Sequence, residues 1–355
     1  MSQRRVKTEE PNAQPITYRD AGVDVRRTAK ALELVKPMIR STFTRGVATD
    51  VGTFGAMFSL KDLPERDALL CSSVDSVGTK VMVAAMMNRH NTVGQDLVNH
   101  CVNDILVQGA RPLFFMDYIA AARLEPEFVE QLIEGVTVAC RQVGCALIGG
   151  EMAELPGMYQ EGEYDLVGFV AGVVERNKAV SGDRVRPGDA LLGLASNGLH
   201  TNGYSLARKL FFEVVGLPVT QHVPQLAMTI GEELLRVHRC YAPAVLSLLE
   251  EVEVKGMAHI TGGGLPDNLV RAMPEGCAAV IERSSWKAPA IFDLIQDLGR
   301  VADEEMYHTF NMGVGYVLVV DDAEANRAAE ELAAHGETVC RLGRVEAGAR
   351  EVRIV

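Results

Sequence analysis

Asp75-Ser76-Val77-Gly78-Thr79-Lys80 places a carboxylate, a glycine, a hydroxyl and an ammonium in one short run. Residues 68–74 before it are apolar and β-compatible. Residues 81–87 after it are apolar and read as buried helix, so the run falls at a strand-to-helix junction. Gly78 permits close backbone approach. Thr79 and Lys80 suit phosphate oxygens, because the N–H groups of a helix start point the same way. Asp75 suits a cation. The plainer alternative is a capped turn with a solvated lysine, and the flanking chain has to decide between them.

Downstream, residues 92–109 read as a helix, with a Thr92/Gln95 capping box and Gly109 as its stop. Val93, Leu97, Val98, Cys101, Val102 and Ile105 form its apolar face. Asp96, Asn99, His100, Asn103 and Asp104 form the other. A solvated face favours Lys and Glu; short amides and acids beside a histidine look more like a polar site. Residues 113–118 read as a strand ending in an acid, 126–143 as an amphipathic helix, and 145–148 as a buried strand delivering Gly149-Gly150-Glu151. Residues 165–174 form a further strand. Upstream, Asp24 is a candidate N-cap for a helix with Leu32, Val35 and Ile39 on one face. Lys36 lies near the end of that helix, just before Pro37, and a glycine-bearing turn, Gly52-Thr53-Phe54-Gly55, follows.

The polar, turn-rich segment after residue 174 reads as a domain boundary. The expected division is a disordered tail over 1–15, an N-terminal domain over 16–174 and a C-terminal α/β domain over 175–355. In the second domain a strand at 190–194 runs into a loop holding His200, Thr201, Asn202 and Gly203, then a helix at 204–212. His259 leads into Gly262-Gly263-Gly264, whose bare N–H groups suit an anion nest, and a helix around 268–273. Residues 310–315 precede a strand at 316–320. An Ala/Glu helix at 323–335 and a terminal strand at 352–355 complete the chain.

The 355 residues are 48% hydrophobic and 23% charged, enough for two domains with real cores. A net charge of −12 argues against a broad nucleic-acid surface, so a phosphate ligand needs local cations or a metal. Seven cysteines without C-x-x-C spacing read as buried thiols of a reducing cytosol. No signal peptide and no span of about 18 apolar residues stands out, so the expectation is a cytoplasmic protein without membrane insertion.

Asp75, Asp104 and Glu151 occupy three separate elements. Unit charges about 4 Å apart repel by roughly 4 kcal/mol at an effective dielectric of 20. If the three converge, a hard cation is the natural reason, and Mg²⁺ with phosphate oxygens is the usual arrangement. The alternative is three unrelated surface acids. Neither common nucleotide signature is present, and no Ser/His/Asp elbow or zinc pair stands out. His200 and His259 sit in glycine-rich loops, whereas His222 and His238 look incidental.

Taken in order, residues 18–24, 54–56, 75–80, 101–104, 114–118, 149–159, 200–206, 259–264 and 310–315 closely resemble the phosphoribosylformylglycinamidine cyclo-ligase (aminoimidazole ribonucleotide synthetase) family, over about residues 16 to 350. The resemblance implies an α/β (α+β) fold of two domains, with the N-terminal domain making a homodimer through its sheet. It implies ATP-dependent closure of formylglycinamidine ribonucleotide to aminoimidazole ribonucleotide, with ADP and phosphate released. Asp75, Asp104 and Glu151 would bind Mg²⁺–ATP. Lys36, Thr79 and Lys80 would face the nucleotide, and Gly52, Phe54 and Gly55 would close over it. His200, Thr201, Asn202 and Gly262 to Gly264 would hold the substrate's ribose phosphate or the transferred phosphoryl. His200 is the first choice for a proton-transfer or phosphoryl-stabilising role and His259 the second. Asp75 and Lys80 would complete the catalytic set. The sequence departs from the family pattern at Ser76 (usually Gly), Met152 (usually Thr) and Thr201 (usually Ser). Asp50-Val51 stand where small residues are common, and a turn or helix cap is the favoured role for Asp50.

Overall fold

A computed structural model describes residues 24–52 and 55–355. The expected tail over 1–15, most of the 18–24 run, and Phe54 lie outside the described residues. Asp24 caps α1 (Val25–Arg40), accepting from the N–H groups of Arg26 and Arg27. The helix continues through Pro37 for three more residues, with Ala31, Val35 and Ile39 buried. There follow β1 (Ala68–Ser76), α2 (Lys80–Met87), α3 (Asn91–Leu106), β2 (Arg111–Ala121), α4 (Pro126–Gln142), β3 (Ala146–Glu154) and β4 (Tyr164–Glu175).

These four strands form one sheet in the order β1-β4-β2-β3, with β2 and β3 parallel and the other pairs antiparallel. Helices α3 and α4 pack together beneath it, and α1 lies against α4 and β3. The crossing of α3 and α4 needs two glycines. A Cβ on Gly94 would stand 2.3 Å from the Leu132 carbonyl oxygen, and one on Gly135 2.0 Å from that of Asn91. The expected Thr92/Gln95 capping box does not form. The helix starts one residue earlier, after His90, and the Thr92 hydroxyl is buried without a partner. The other face of the sheet is open: Leu70 is 65% exposed and Val74 62%.

The second domain contains β5 (Ala190–Ala195), α5 (Tyr204–Arg208), the short hairpin β6 (His222–Val223) and β7 (Met228–Thr229), α6 (Ile230–Leu234) and α7 (Ala242–Glu251). Next come β8 (Val254–His259), α8 (Gly264–Leu269), β9 (Cys277–Ile281), α9 (Ala290–Gly299), α10 (Asp303–Thr309), β10 (Val314–Val320), α11 (Ala325–Ala334), β11 (Val339–Ala347) and β12 (Glu351–Ile354). Six strands form a mixed sheet in the order β12-β9-β11-β5-β10-β8. Both faces are covered. Tyr316, Leu318 and Val320 of β10 enter one core and Val317 and Val319 the other, which explains an unbroken apolar run. The helix expected around 268–273 begins earlier, at Gly264, and ends in a 3-10 turn. Among the described residues no helix is long and apolar enough to cross a membrane.

Candidate active site at the domain junction

Strand β1 runs through Ser76, so Asp75 belongs to the strand rather than the turn. The turn itself needs Gly78, which sits at φ +67. Asp75 lies on the helix-facing side, next to His100 and Asp104, which are one turn apart on α3. One ligand atom from each of the three lies within 4.8 Å of the others. The two carboxylates are partly open, at 41% and 29% side-chain exposure, with the buried imidazole behind them.

Histidines from the second domain close the back of the site. His100 Nε2 meets Asp75 at 2.5 Å and its Nδ1 meets Thr201 Oγ1 at 2.6 Å. His259 Nδ1 meets Asp104 at 2.8 Å, and its Nε2 stands 3.1 Å from His238 Nε2. His200 stacks on His238 with ring centroids 4.1 Å apart, and both of its ring nitrogens are buried without a hydrogen bond among the described residues. Burial drives the pKa values of His200 and His238 far below the ordinary histidine range, and neighbouring cationic groups add to this. Burial also lowers that of His259, against the pull of Asp104. Burial lowers His100 too, but the hydrogen bond and charge of Asp75 outweigh it and its pKa ends above the ordinary value. Burial raises both acids, yet His100 holds Asp75 and His259 holds Asp104 below the usual carboxylate range. Each carboxylate thus leans on its own imidazole, Asp75 on His100 and Asp104 on His259, with an open side left toward the cleft.

Lys80 does not take the phosphate-facing place expected of it. Its ammonium is fully buried, 2.8 Å from the equally buried Asp96, and donates to the carbonyls of His200 at 3.0 Å and Arg236 at 2.6 Å. Two carbonyls and the Asp96 carboxylate surround the ammonium, which is wholly buried and closed to a ligand. Asp96 also accepts from the His238 N–H at 2.6 Å. Asn99 donates to the His238 carbonyl, and Asn103 donates to that of Arg239 while accepting from the Tyr241 N–H. Much of the polar face of α3 therefore grips the backbone of the second domain, leaving His100 and Asp104 for the site.

Glu151 does not join the other two acids. Asp75, Gly168, Asp117 and Gly150 pair in one row across the sheet, which places Glu151 in the next row with Tyr118, Val167 and Ser76. Because side chains alternate, it stands on the opposite face, and it is on the far edge strand. Lys36 also lies toward that edge, 3.9 Å from where a Cβ on Gly52 would stand, and pairs with Glu33. Asp50 is held by Arg40 through two hydrogen bonds and by the Val51 N–H.

On the substrate side, Thr79 Oγ1 lies 3.3 Å from Ser205 Oγ. Asn202 borders Gly262, and its Nδ2 is buried with no hydrogen-bond partner among the described residues. Asn268 pins the glycine loop by donating to the carbonyls of Thr261, Gly262 and Gly264. Asp267 stands beside Gly263, which works against an anion at that glycine. Asn311 fastens the loop carrying His200, bonding Ser196 and the Gly198 carbonyl. His238, read as incidental from sequence, is central to the cluster. Its segment has no glycine-rich motif or other local mark that would single it out.

Residues 55–174 match the family model described as AIR synthase related protein, N-terminal domain, and residues 186–355 match the corresponding C-terminal domain. A phosphoribosylformylglycinamidine cyclo-ligase of Syntrophotalea carbinolica is 48% identical over 336 residues, covering 95% of this chain and 96% of the relative. The chain belongs to the phosphoribosylformylglycinamidine cyclo-ligase family. A second cyclo-ligase, from Alkaliphilus metalliredigens, is 44% identical over 95% of this chain and 97% of its own. The cyclo-ligase fold extends to distant solved structures. The hydrogenase maturation protein HypE in complex with ATP aligns with a TM-score of 0.66 at 19% identity, over 94% of this chain and 93% of its own. A thiamine-monophosphate kinase from Stenotrophomonas maltophilia aligns with a TM-score of 0.65 at 17% identity, over 91% of this chain and 95% of its own.

Proposed function

We propose that this chain converts formylglycinamidine ribonucleotide and ATP to aminoimidazole ribonucleotide, ADP and phosphate. The observation that carries the reading is the meeting of Asp75 and Asp104 at the domain junction, backed by His200 and Asn202 with unsatisfied buried nitrogens. An amide oxygen is a poor leaving group. Transfer of the terminal phosphoryl of ATP to that oxygen makes an imidate phosphate. The substrate's own amine then attacks the carbon and phosphate leaves. No enzyme nucleophile is required; the protein positions the reactants and excludes water.

Asp75 and Asp104 fit a divalent cation, being close together, partly exposed and held below the usual carboxylate range. When bound there, Mg²⁺ supplies charge neutralisation for the nucleotide phosphates. Lys36 and the Gly52 turn take the nucleotide's other end. Thr201, Asn202 and the loop of Gly262 to Gly264 take the substrate phosphate. His200 is kept neutral by burial and is too weak a base to be a good proton acceptor, so its role is that of an N–H donor to the transferred phosphoryl, with His259 the alternative.

The open face of the N-terminal sheet, with Leu70 and Val74 exposed, supports a homodimer formed through that sheet. The reading also places the protein in the cytoplasm and divides it into domains at about residue 174. The test mixes the protein with formylglycinamidine ribonucleotide, ATP and Mg²⁺ and follows ring product and phosphate together. One-to-one formation that disappears in Asp75→Asn is expected. ATP turnover without ring product would instead identify a kinase of the same fold.

A further inference from the structure

We infer that His100 is itself a metal ligand, so that Asp75, His100 and Asp104 form a mixed nitrogen–oxygen site preferring Mn²⁺, Co²⁺ or Zn²⁺ to Mg²⁺. The inference rests on the reading that Asp75 and Asp104 hold the metal of the reaction, and adds an identity and a selectivity to it. Metal–ligand bonds of roughly 2.1 Å put the ligands of one ion within about 4 Å of each other. The three donors, already within 4.8 Å, need only a small inward movement of two partly exposed carboxylates.

Each candidate ligand is aimed by a second contact. Thr201 Oγ1 binds His100 Nδ1 at 2.6 Å, which turns Nε2 toward the carboxylates. The Ser76 N–H binds Asp75 at 2.7 Å. Ser73 Oγ and His259 Nδ1 bind the two oxygens of Asp104 at 2.9 and 2.8 Å. Outer contacts of this kind fix the ring orientation and strengthen its donor nitrogen. The nearest lysine of the same motif cannot substitute for a cation, because Lys80 is closed off with Asp96. Mg²⁺ seeks oxygen ligands, whereas an imidazole nitrogen suits the borderline ions. A buried ring behind two acids therefore biases the site away from Mg²⁺.

The test uses the full chain without nucleotide. Mn²⁺ is titrated in and the free ion counted by electron paramagnetic resonance, while spin-echo modulation reports ¹⁴N next to the bound ion. One bound Mn²⁺ with nitrogen coupling is expected, displaced by Mg²⁺ only when Mg²⁺ is in excess. The coupling should vanish in His100→Gln, with affinity down about ten-fold or more, and persist in His259→Gln. Bound Mn²⁺ without nitrogen coupling in the unaltered protein would overturn the inference and leave the carboxylate site standing. So would coupling lost only in His259→Gln. No bound Mn²⁺ at all would overturn both, while ring closure with Mg²⁺ reports separately on the proposed activity. If His100→Gln does not fold, absence of nitrogen coupling in the unaltered protein still overturns the inference, and coupling that persists in His259→Gln still excludes the neighbouring imidazole as its source.

Discussion

The polar residues of α3 do two different jobs within three turns of one helix. Asp96, Asn99 and Asn103 have their partners inside the chain: Lys80 and the backbone of residues 238–241. His100 and Asp104 sit beside them in sequence but open toward Asp75 and the cleft. The first set joins the domains through backbone groups; the second meets the second domain only through the side chains of Thr201 and His259 and keeps Asp104 partly open. Residue type does not separate the two, since an aspartate occurs in each. What separates them is whether the second domain's backbone reaches the side chain first.

Breaking the closed set should have the largest effect on folding. Lys80→Met leaves the buried Asp96 carboxylate unpaired and is expected to cost about 3–5 kcal/mol in denaturant unfolding. Pairing it with Asp96→Leu should recover part of that loss, because the uncompensated charge goes too. Breaking the open set should act on chemistry instead. Asp104→Asn is expected to lower turnover about a hundred-fold or more while the unfolding midpoint barely moves. Asn103→Ala returns to the closed set with a smaller loss. It strands the Tyr241 N–H and the Arg239 carbonyl, and calorimetry should show a destabilisation of about 1–3 kcal/mol. The smallest effect is expected from Glu151→Gln, since that acid stands on the opposite face of the sheet. Titration of Mn²⁺ into the nucleotide-free variant should match the unaltered protein.

Much of the architecture was legible because it depends on local pattern. Asp24 caps the first helix as its side chain suggests, and the apolar side of α3 is buried throughout. The run at 316–320 is a strand covered on both faces. The two acids read from β1 and α3 do meet. Lys80 is not legible in this way, because a lysine at a glycine turn looks the same in sequence whether water or a second domain surrounds it. The face on which Glu151 stands is not legible either, because a strand delivers alternate residues to opposite faces, and its register depends on partners far away in the chain. His238 carried no local mark. Its role arises from the carbonyl and N–H that α3 grips on either side of its own peptide units.

The most direct test titrates a complex of Mg²⁺ with a non-hydrolysable ATP analogue into the unaltered protein, Asp104→Asn and Asp96→Asn, with circular dichroism checking the fold of each. The account predicts that Asp104→Asn folds normally and loses nucleotide affinity. It predicts that Asp96→Asn is less stable and, wherever folded, binds as the unaltered protein does. Binding lost in a folded Asp96→Asn but kept in Asp104→Asn would contradict the division of α3 into a structural set and a site.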